Sequence, residues 1–341
     1  MNPRDLTSTA RMLVAPGKGI LAADESGGTI GKRFANIGVF STDAARRAYR
    51  AVLFSTPELS QFISGIILFD ETIRQNANDG TRFTHLIADR GMIPGIKVDQ
   101  GTQPLAGFPG DKITEGLDGL RERLAEYAQF GARFSKWRAV ISIGNQNLPS
   151  RTALEANAYG LARFAALSQE AGLVPIVEPE VLMDGAHTLK RHFEVTAAAL
   201  QSVFRALADH RVQLEGMLLK PNMVLPGTSC PQQATVREVA EATLQCMRKH
   251  VPAAVPGIIF LSGGQNDVRA TEHLNAMNLI GQAPWRLSFS FGRALQAPAL
   301  SQWAGKAENV PAAQRVLLHR AHCNSAASSG TYTTEMEQMK S

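Results

Sequence analysis

The sequence predicts an α/β protein, a single (β/α)8 TIM barrel, and three observations carry that prediction. Eight short apolar segments alternate with longer segments of helical period. Marker residues in those segments (positions 24, 69, 97, 136, 178, 220, 262 and 290) stand 45, 28, 39, 42, 42, 42 and 28 positions apart. Each interval suits one strand, one helix and two loops. The 341 residues show no composition break that would mark a second domain. Strands that alternate with helices pair in parallel, and eight is the number that closes a barrel. An open doubly wound sheet is the competing reading, but no GxGxxG follows the first strand. The barrel is expected over residues 1–330, with a mobile polar tail over 331–341.

The first three strands are GILAAD ending at Asp24, FISGIILF ending at Phe69 and MIPGIKV containing Lys97. ARFSKWRAVIS carries Lys136 and Arg138, and VPIVEPE carries Glu178 and Glu180. GMLLK ends at Lys220, GIIFLS ends at Ser262, and RLSFSFG contains Ser290. Among the helices, 152–171 opens with Thr152 and Glu155 at capping-box spacing and stops before Gly172. The segment 235–250 repeats that spacing with Thr235 and Glu238. The segment 188–208 sets Leu189, Phe193, Thr196, Leu200, Phe204 and Leu207 along one face.

Composition removes several function classes. No apolar run approaches the roughly 18 residues of a membrane helix, and MNPRDLTSTARML lacks the apolar core of a secretion signal. Cys230, Cys246 and Cys323 lie too far apart for a disulfide framework, which fits a reducing, cytoplasmic setting without a membrane. The net charge of +5 comes from 35 basic and 30 acidic residues. The basic residues are scattered, so a nucleic-acid partner is not expected, whereas a phosphorylated substrate is compatible.

Strands buried on both faces read as continuous apolar runs. Here Asp24, Lys97, Lys136, Arg138, Glu178, Glu180, Lys220, Ser262 and Ser290 interrupt them at or near their C-terminal ends, where a barrel builds its active site. Any one alone reads equally well as a strand-end salt bridge. Together they define a site. No histidine is among them, so neither a zinc centre nor a Ser-His-Asp triad is expected, and no metal or cofactor is predicted. His319 and His322 share a helix face but fall in the tail region.

Lysine chemistry remains. An amine whose charge is disfavoured by neighbouring cations and low-dielectric walls becomes nucleophilic and forms a Schiff base with a ketone or aldehyde. Lys220 is the best candidate, at the end of the most apolar lysine-bearing strand and followed by Pro221. Lys136 or Arg138 would supply nearby positive charge. Glu178 and Glu180, alternate residues of one strand, face the same way and can move protons, and Asp24 is a third carboxylate. LSGGQND and SFGRA place Gly263, Gly264, Gly292 and Arg293 in the seventh and eighth loops, the usual barrel phosphate site. Lys97, Arg138, Ser26 and Thr29 suit a second phosphate across the mouth.

These segments resemble class I fructose-bisphosphate aldolase along nearly the whole chain: GKGILAADES, GIKVD, KWR, VPIVEPE, LEGMLLKPNMV, FLSGGQ and SFGRALQ. The resemblance implies metal-independent, reversible cleavage of fructose 1,6-bisphosphate to dihydroxyacetone phosphate and glyceraldehyde 3-phosphate, by a cytoplasmic homotetramer in glycolysis and gluconeogenesis. It implies the imine on Lys220, carbinolamine assistance from Lys136, acid–base work by Glu178 supported by Glu180, and deprotonation of the C4 hydroxyl by Asp24. Ser262, Gly263, Ser290, Gly292 and Arg293 resemble the ketone-side phosphate contacts; Arg33, Lys97 and Arg138 resemble contacts to the rest of the substrate. The chain departs from the family at Gly27 and Thr29, which keep one of two expected hydroxyls near Ser26. It also ends EMEQMKS, without the terminal tyrosine of animal members, so Tyr332 is expected to be no substitute for it. The rival readings are another Schiff-base barrel, against which the second basic side argues, and a non-catalytic scaffold, against which the intact charged set argues.

Overall fold

The computed structural model describes residues 3–144 and 148–338. Its strands are β1 (Gly19–Ala22), β2 (Ile63–Leu68), β3 (Ile93–Lys97), β4 (Thr102–Pro104), β5 (Lys112–Thr114), β6 (Phe134–Ile141), β7 (Val174–Val181), β8 (Leu218–Leu219), β9 (Gly257–Phe260) and β10 (Arg286–Phe291). Eight of them close a parallel barrel in the order β1-β10-β9-β8-β7-β6-β3-β2, so the predicted strands neighbour one another in chain order. The antiparallel hairpin β4–β5 stands outside the barrel and was not expected, because three-residue strands show no readable alternation. It is fastened to β6 by Thr114, whose hydroxyl donates to the Arg138 carbonyl at 2.9 Å.

The barrel is apolar at its N-terminal end and charged at its mouth. Ile20, Ile67, Phe134, Val174, Ile176, Leu218 and Ile259 fill the lower interior, and Leu6, Ala10 and Leu13 of the helix Pro3–Leu13 pack against them. Each such side chain contributes about 1.5–3 kcal/mol when fully buried. Gly95 is required here: a Cβ would come within 2.3 Å of the Phe134 ring. Higher up, the β6–β7 register sets Arg138 beside Glu178 and Val140 beside Glu180, while β3 sets Lys97 beside Lys136. The Lys220 N–H donates to the Val177 carbonyl at 2.8 Å, which extends the β8 ladder by one residue and fixes where that side chain emerges.

The helices follow the sequence with two adjustments. The helix Arg151–Glu170 is capped by Ser150, whose hydroxyl accepts from the Ala153 N–H at 3.1 Å. Thr152 is therefore inside the first turn, and Glu155 pairs with Arg151 instead of capping. In Leu189–Asp209, Thr196, Leu200 and Leu207 are buried as expected, but Leu189, Phe193 and Phe204 are only half-buried at the rim of that face. The capping box of Val236–His250 is complete, with Thr235 and Glu238 each bonding the other's N–H.

The described part of the segment expected to be a mobile tail, 331–338, packs on the barrel. Tyr332 is buried, and its backbone N–H and carbonyl both pair with the Asn275 side chain, at 3.1 and 3.2 Å. Its hydroxyl donates to Glu337 at 2.7 Å. This polar-looking stretch carries a buried aromatic, Tyr332, and an ion pair from Glu337 to Arg320, which period-based reading does not detect. Among the described residues, no helix is long and apolar enough to cross a membrane.

Candidate active site

A cavity of about 1090 Å³ opens at the C-terminal mouth of the barrel. Every residue singled out from the sequence as catalytic or substrate-binding lines it, from Asp24 and Ser26 through Lys220 to Arg293. Glu25 and Asp99 line it too.

At its centre four groups alternate in charge. Lys220 Nζ lies 3.2 Å from Glu178 Oε1, and Lys136 Nζ lies 3.2 Å from Glu178 Oε2 and 2.7 Å from Asp24 Oδ2. Lys220, Lys136 and Glu178 are at most 4% exposed. Isolated charges so deep would cost several kcal/mol each, and the alternation of lysines with carboxylates offsets that cost. Burial works against ionisation of Asp24, but the Lys136 and Lys220 ammonium groups hold its carboxyl well below the usual carboxylate range. Burial likewise opposes the charge on Lys136, and Asp24 and Glu178 outweigh it, raising that pKa. Glu178 is lowered, against its own burial, by Lys136 and Lys220. Lys136 is thereby committed as a cation, and one carboxylate touches both lysines. Glu178 is placed to move a proton to or from an atom bonded to Lys220 Nζ.

The outer cations are also paired. Arg138 bonds Glu180, Arg33 bonds Glu25, and Lys97 Nζ lies 2.6 Å from Asp99 Oδ1. Asp99 Oδ2 accepts from the Arg138 N–H at 3.1 Å. Glu25 also bonds Arg50 at 2.7 Å and accepts from Gln296 at 2.9 Å. Sequence reading did not single out Glu25, Asp99, Arg50 or Gln296. The first two stand inside quoted motifs, one residue after Asp24 and two after Lys97, and that adjacency was the available signal. Ser26 Oγ and Thr29 Oγ1 lie 3.2 Å apart at the start of the helix Gly27–Ala35. A Cβ at Gly27 would meet nothing within 4 Å, so this departure leaves open space.

Across the mouth, Gly263 and Gly264 take left-handed φ values of 56° and 90°, and Gly292 caps the helix Arg293–Trp303. Successive amides in such a turn and a helix N-terminus are both anion seats. Arg293 reaches back over this loop, its Nη2 only 3.3 Å from where a Gly264 Cβ would lie. Among the described residues it pairs with no carboxylate, unlike Arg33, Lys97 and Arg138. The Ser290 hydroxyl, in the same cavity lining, is buried without a hydrogen-bond partner among the described residues. This side is open to a dianion.

Tyr332 is outside the cavity lining, its hydroxyl engaged by Glu337. Tyr332→Phe should therefore leave cleavage and enamine proton exchange within about twofold of the parent, about 0.4 kcal/mol in barrier. Tritium release from the enamine carbon measures this. A tenfold slowing with imine formation intact means that Tyr332 reaches the site.

The comparisons with known proteins agree with this geometry. The family model described as fructose-bisphosphate aldolase class-I matches residues 5–341. The chain is 56% identical over 333 residues to a probable fructose-bisphosphate aldolase class 1 of Xanthomonas campestris, covering 97% of this chain and 99% of that protein. It is 52% identical over 329 residues to the cytosolic fructose-bisphosphate aldolase 4 of Arabidopsis thaliana, covering 96% and 84%. Among solved structures it is similar to fructose-bisphosphate aldolase from Plasmodium falciparum, in a ternary complex with TRAP and a small-molecule inhibitor. That match has a TM-score of 0.96 at 48% identity, over 97% of this chain and 95% of that one. Matched over 97% of its length in both sequence and fold, the chain belongs to the class I fructose-bisphosphate aldolase family.

Proposed function

We propose that the chain cleaves fructose 1,6-bisphosphate reversibly to dihydroxyacetone phosphate and glyceraldehyde 3-phosphate through an imine on Lys220. The observation that carries this reading is the buried Lys220–Glu178–Lys136–Asp24 series, set between one anion seat at Arg293 and a second group of cations at Arg33, Lys97 and Arg138.

Glu178 takes a proton from Lys220 Nζ, the free amine attacks the C2 ketone, and Glu178 returns the proton to the carbinolamine hydroxyl, which leaves as water, with Lys136 steering the developing charge. The protonated imine withdraws the C3–C4 electron pair while Asp24 takes the C4 hydroxyl proton, so the aldehyde leaves and an enamine remains. The proton taken by Asp24 passes through Glu178 or water to the enamine carbon, and hydrolysis consumes one water to free Lys220. Glu180 holds Arg138 in place beside Glu178. Ser262, Gly263, Ser290, Gly292 and Arg293 hold the ketone-side phosphate. Ser26, Thr29, Arg33, Lys97 and Arg138 receive the other end as their carboxylate partners are exchanged for substrate oxygens. No metal or cofactor enters. A coupled assay of fructose 1,6-bisphosphate cleavage with and without chelator tests this, and equal rates are expected. Homotetrameric assembly, a cytoplasmic location and a glycolytic role belong to the same proposal, supported by the family and by the cytosolic Arabidopsis relative.

Arg293→Ala should weaken binding of phosphorylated substrate by about 2–4 kcal/mol, as for breaking a desolvated charge pair. Binding of unphosphorylated fructose analogues should hardly change. Equal losses for both, measured by competition, would point to collapse of the loop.

A further inference from the structure

We propose that His319, Cys323 and Glu337 form a binding site for one thiophilic divalent cation of the zinc type, which fastens the segment 331–338 to the helix Val310–Ser328. One ligand atom from each of these residues lies within 4.8 Å of the others, the only such group of three found among the described residues. His319 and Cys323 are one helical turn apart on the same face, and His319 Nε2 lies 3.7 Å from Cys323 Sγ. A tetrahedral zinc, with bonds of about 2.0–2.1 Å to nitrogen and about 2.3 Å to sulfur, separates those atoms by roughly 3.6 Å. The pair is already at coordination spacing. Glu337 arrives from the 3₁₀ turn Thr334–Glu337, so the set joins two segments that period and spacing do not relate. His322, the helix neighbour of His319, turns instead to the Phe62 ring at 5.1 Å and takes no part.

The donor set selects the ion. Imidazole, thiolate and carboxylate together suit zinc, not the all-oxygen preference of magnesium or calcium. Cys323 is fully buried, while His319 and Glu337 are half-buried, which leaves an approach for the ion and room for water as fourth ligand. Glu337 is oriented from behind: Tyr332 donates to Oε1 at 2.7 Å and Arg320 bonds Oε2. Each carboxylate oxygen keeps a further acceptor site, and such outer partners commonly hold metal-ligating carboxylates. Arg320 is the obvious objection, being a cation beside the site. It is shared with Asp267, whose Oδ2 lies 3.8 Å from its Nε. Thiolate, Glu337 and Asp267 then carry three negative charges against Arg320 and a dication, so the loaded cluster is neutral. Coordination transfers the thiol proton to solvent. None of the three ligands lines the catalytic cavity, so this ion would be structural, and cleavage would proceed without it.

Full-length protein, stripped by chelator and dialysed, is titrated with Co²⁺ and then with Zn²⁺. The expected result is one Co²⁺ per chain, with a thiolate charge-transfer band and the intense visible bands of a tetrahedral ion, all abolished by Zn²⁺. Cys323→Ala should lose the charge-transfer band, and Glu337→Gln should bind Co²⁺ at least about tenfold more weakly. Zn²⁺ should raise the melting temperature of the parent more than that of either variant. Should Cys323→Ala not fold, His319→Gln serves in its place and should lose the tetrahedral bands. Absence of stoichiometric Co²⁺ binding, a weak octahedral spectrum, or a thiolate band that survives Cys323→Ala would each overturn the proposal.

Discussion

Lys220→Met should cleave fructose 1,6-bisphosphate at least about 10⁴-fold more slowly than the parent, about 5.5 kcal/mol in barrier, while remaining folded. The loss is large because the neighbouring amine cannot take over: Lys136 is held as a cation by Asp24 and Glu178. The fold should survive because Glu178, on losing one ammonium at 3.2 Å, keeps the other at the same distance. Methionine also fills most of the lysine stem's volume in a site that is only 4% exposed. Lys220→Arg separates charge from nucleophilicity, since a guanidinium keeps the ion pair but forms no imine, and it should be as inactive as the methionine variant. An arginine variant within tenfold of the parent would show that Lys220 acts as a charge. Steady-state kinetics and thermal melts read both outcomes.

Lys136→Met should cost about 3–5 kcal/mol of stability at neutral pH, because it strands buried Asp24 without its direct partner. It should also slow turnover by roughly 10²–10⁴-fold, as expected when a positioned proton-transfer network is broken. The pH dependence follows from the two shifts. Asp24 has a lowered pKa when folded, so its contribution to stability is present above its ordinary value of about 3.9 and is lost as pH falls through the folded value. Lys136 has a raised pKa, so its contribution is complete below its ordinary value of about 10.4 and is lost as pH rises through the folded one. The deficit of the variant should therefore be widest between those limits and narrow as Asp24 becomes protonated in acid. Denaturant midpoints measured from acid to neutral pH check this. A deficit that stays constant into acid would assign the role of Lys136 to packing.

The barrel was legible because polar residues within strands buried on both faces are costly. That cost made Lys97, Lys136, Arg138, Glu178, Glu180 and Lys220 visible one by one, and the structure gathers them in one cavity. The Thr235–Glu238 cap was legible for a similar reason, since both halves of the device lie three residues apart. What escaped depends on long-range approach. Glu25 joins Arg33, Arg50 and Gln296 from three separate elements, and no spacing rule relates those positions. Asp99 serves Lys97 and the backbone of Arg138, a pairing created by the β3–β6 register. Ser150 takes the cap assigned to Thr152 because a single residue offset is below the resolution of pattern reading. The packing of Tyr332 on Asn275, and the meeting of His319 and Cys323 with Glu337, likewise arise only once the last helix is laid against the barrel.

The central claim is the imine on Lys220, and chemical trapping tests it most directly. Enzyme incubated with dihydroxyacetone phosphate and borohydride should lose activity irreversibly. Peptide mass mapping should find one reduced dihydroxyacetone phosphate adduct per chain, on the peptide carrying Lys220, whether or not chelator is present. An adduct on another lysine such as Lys136, no adduct at all, or cleavage that chelator abolishes and zinc restores would contradict the account.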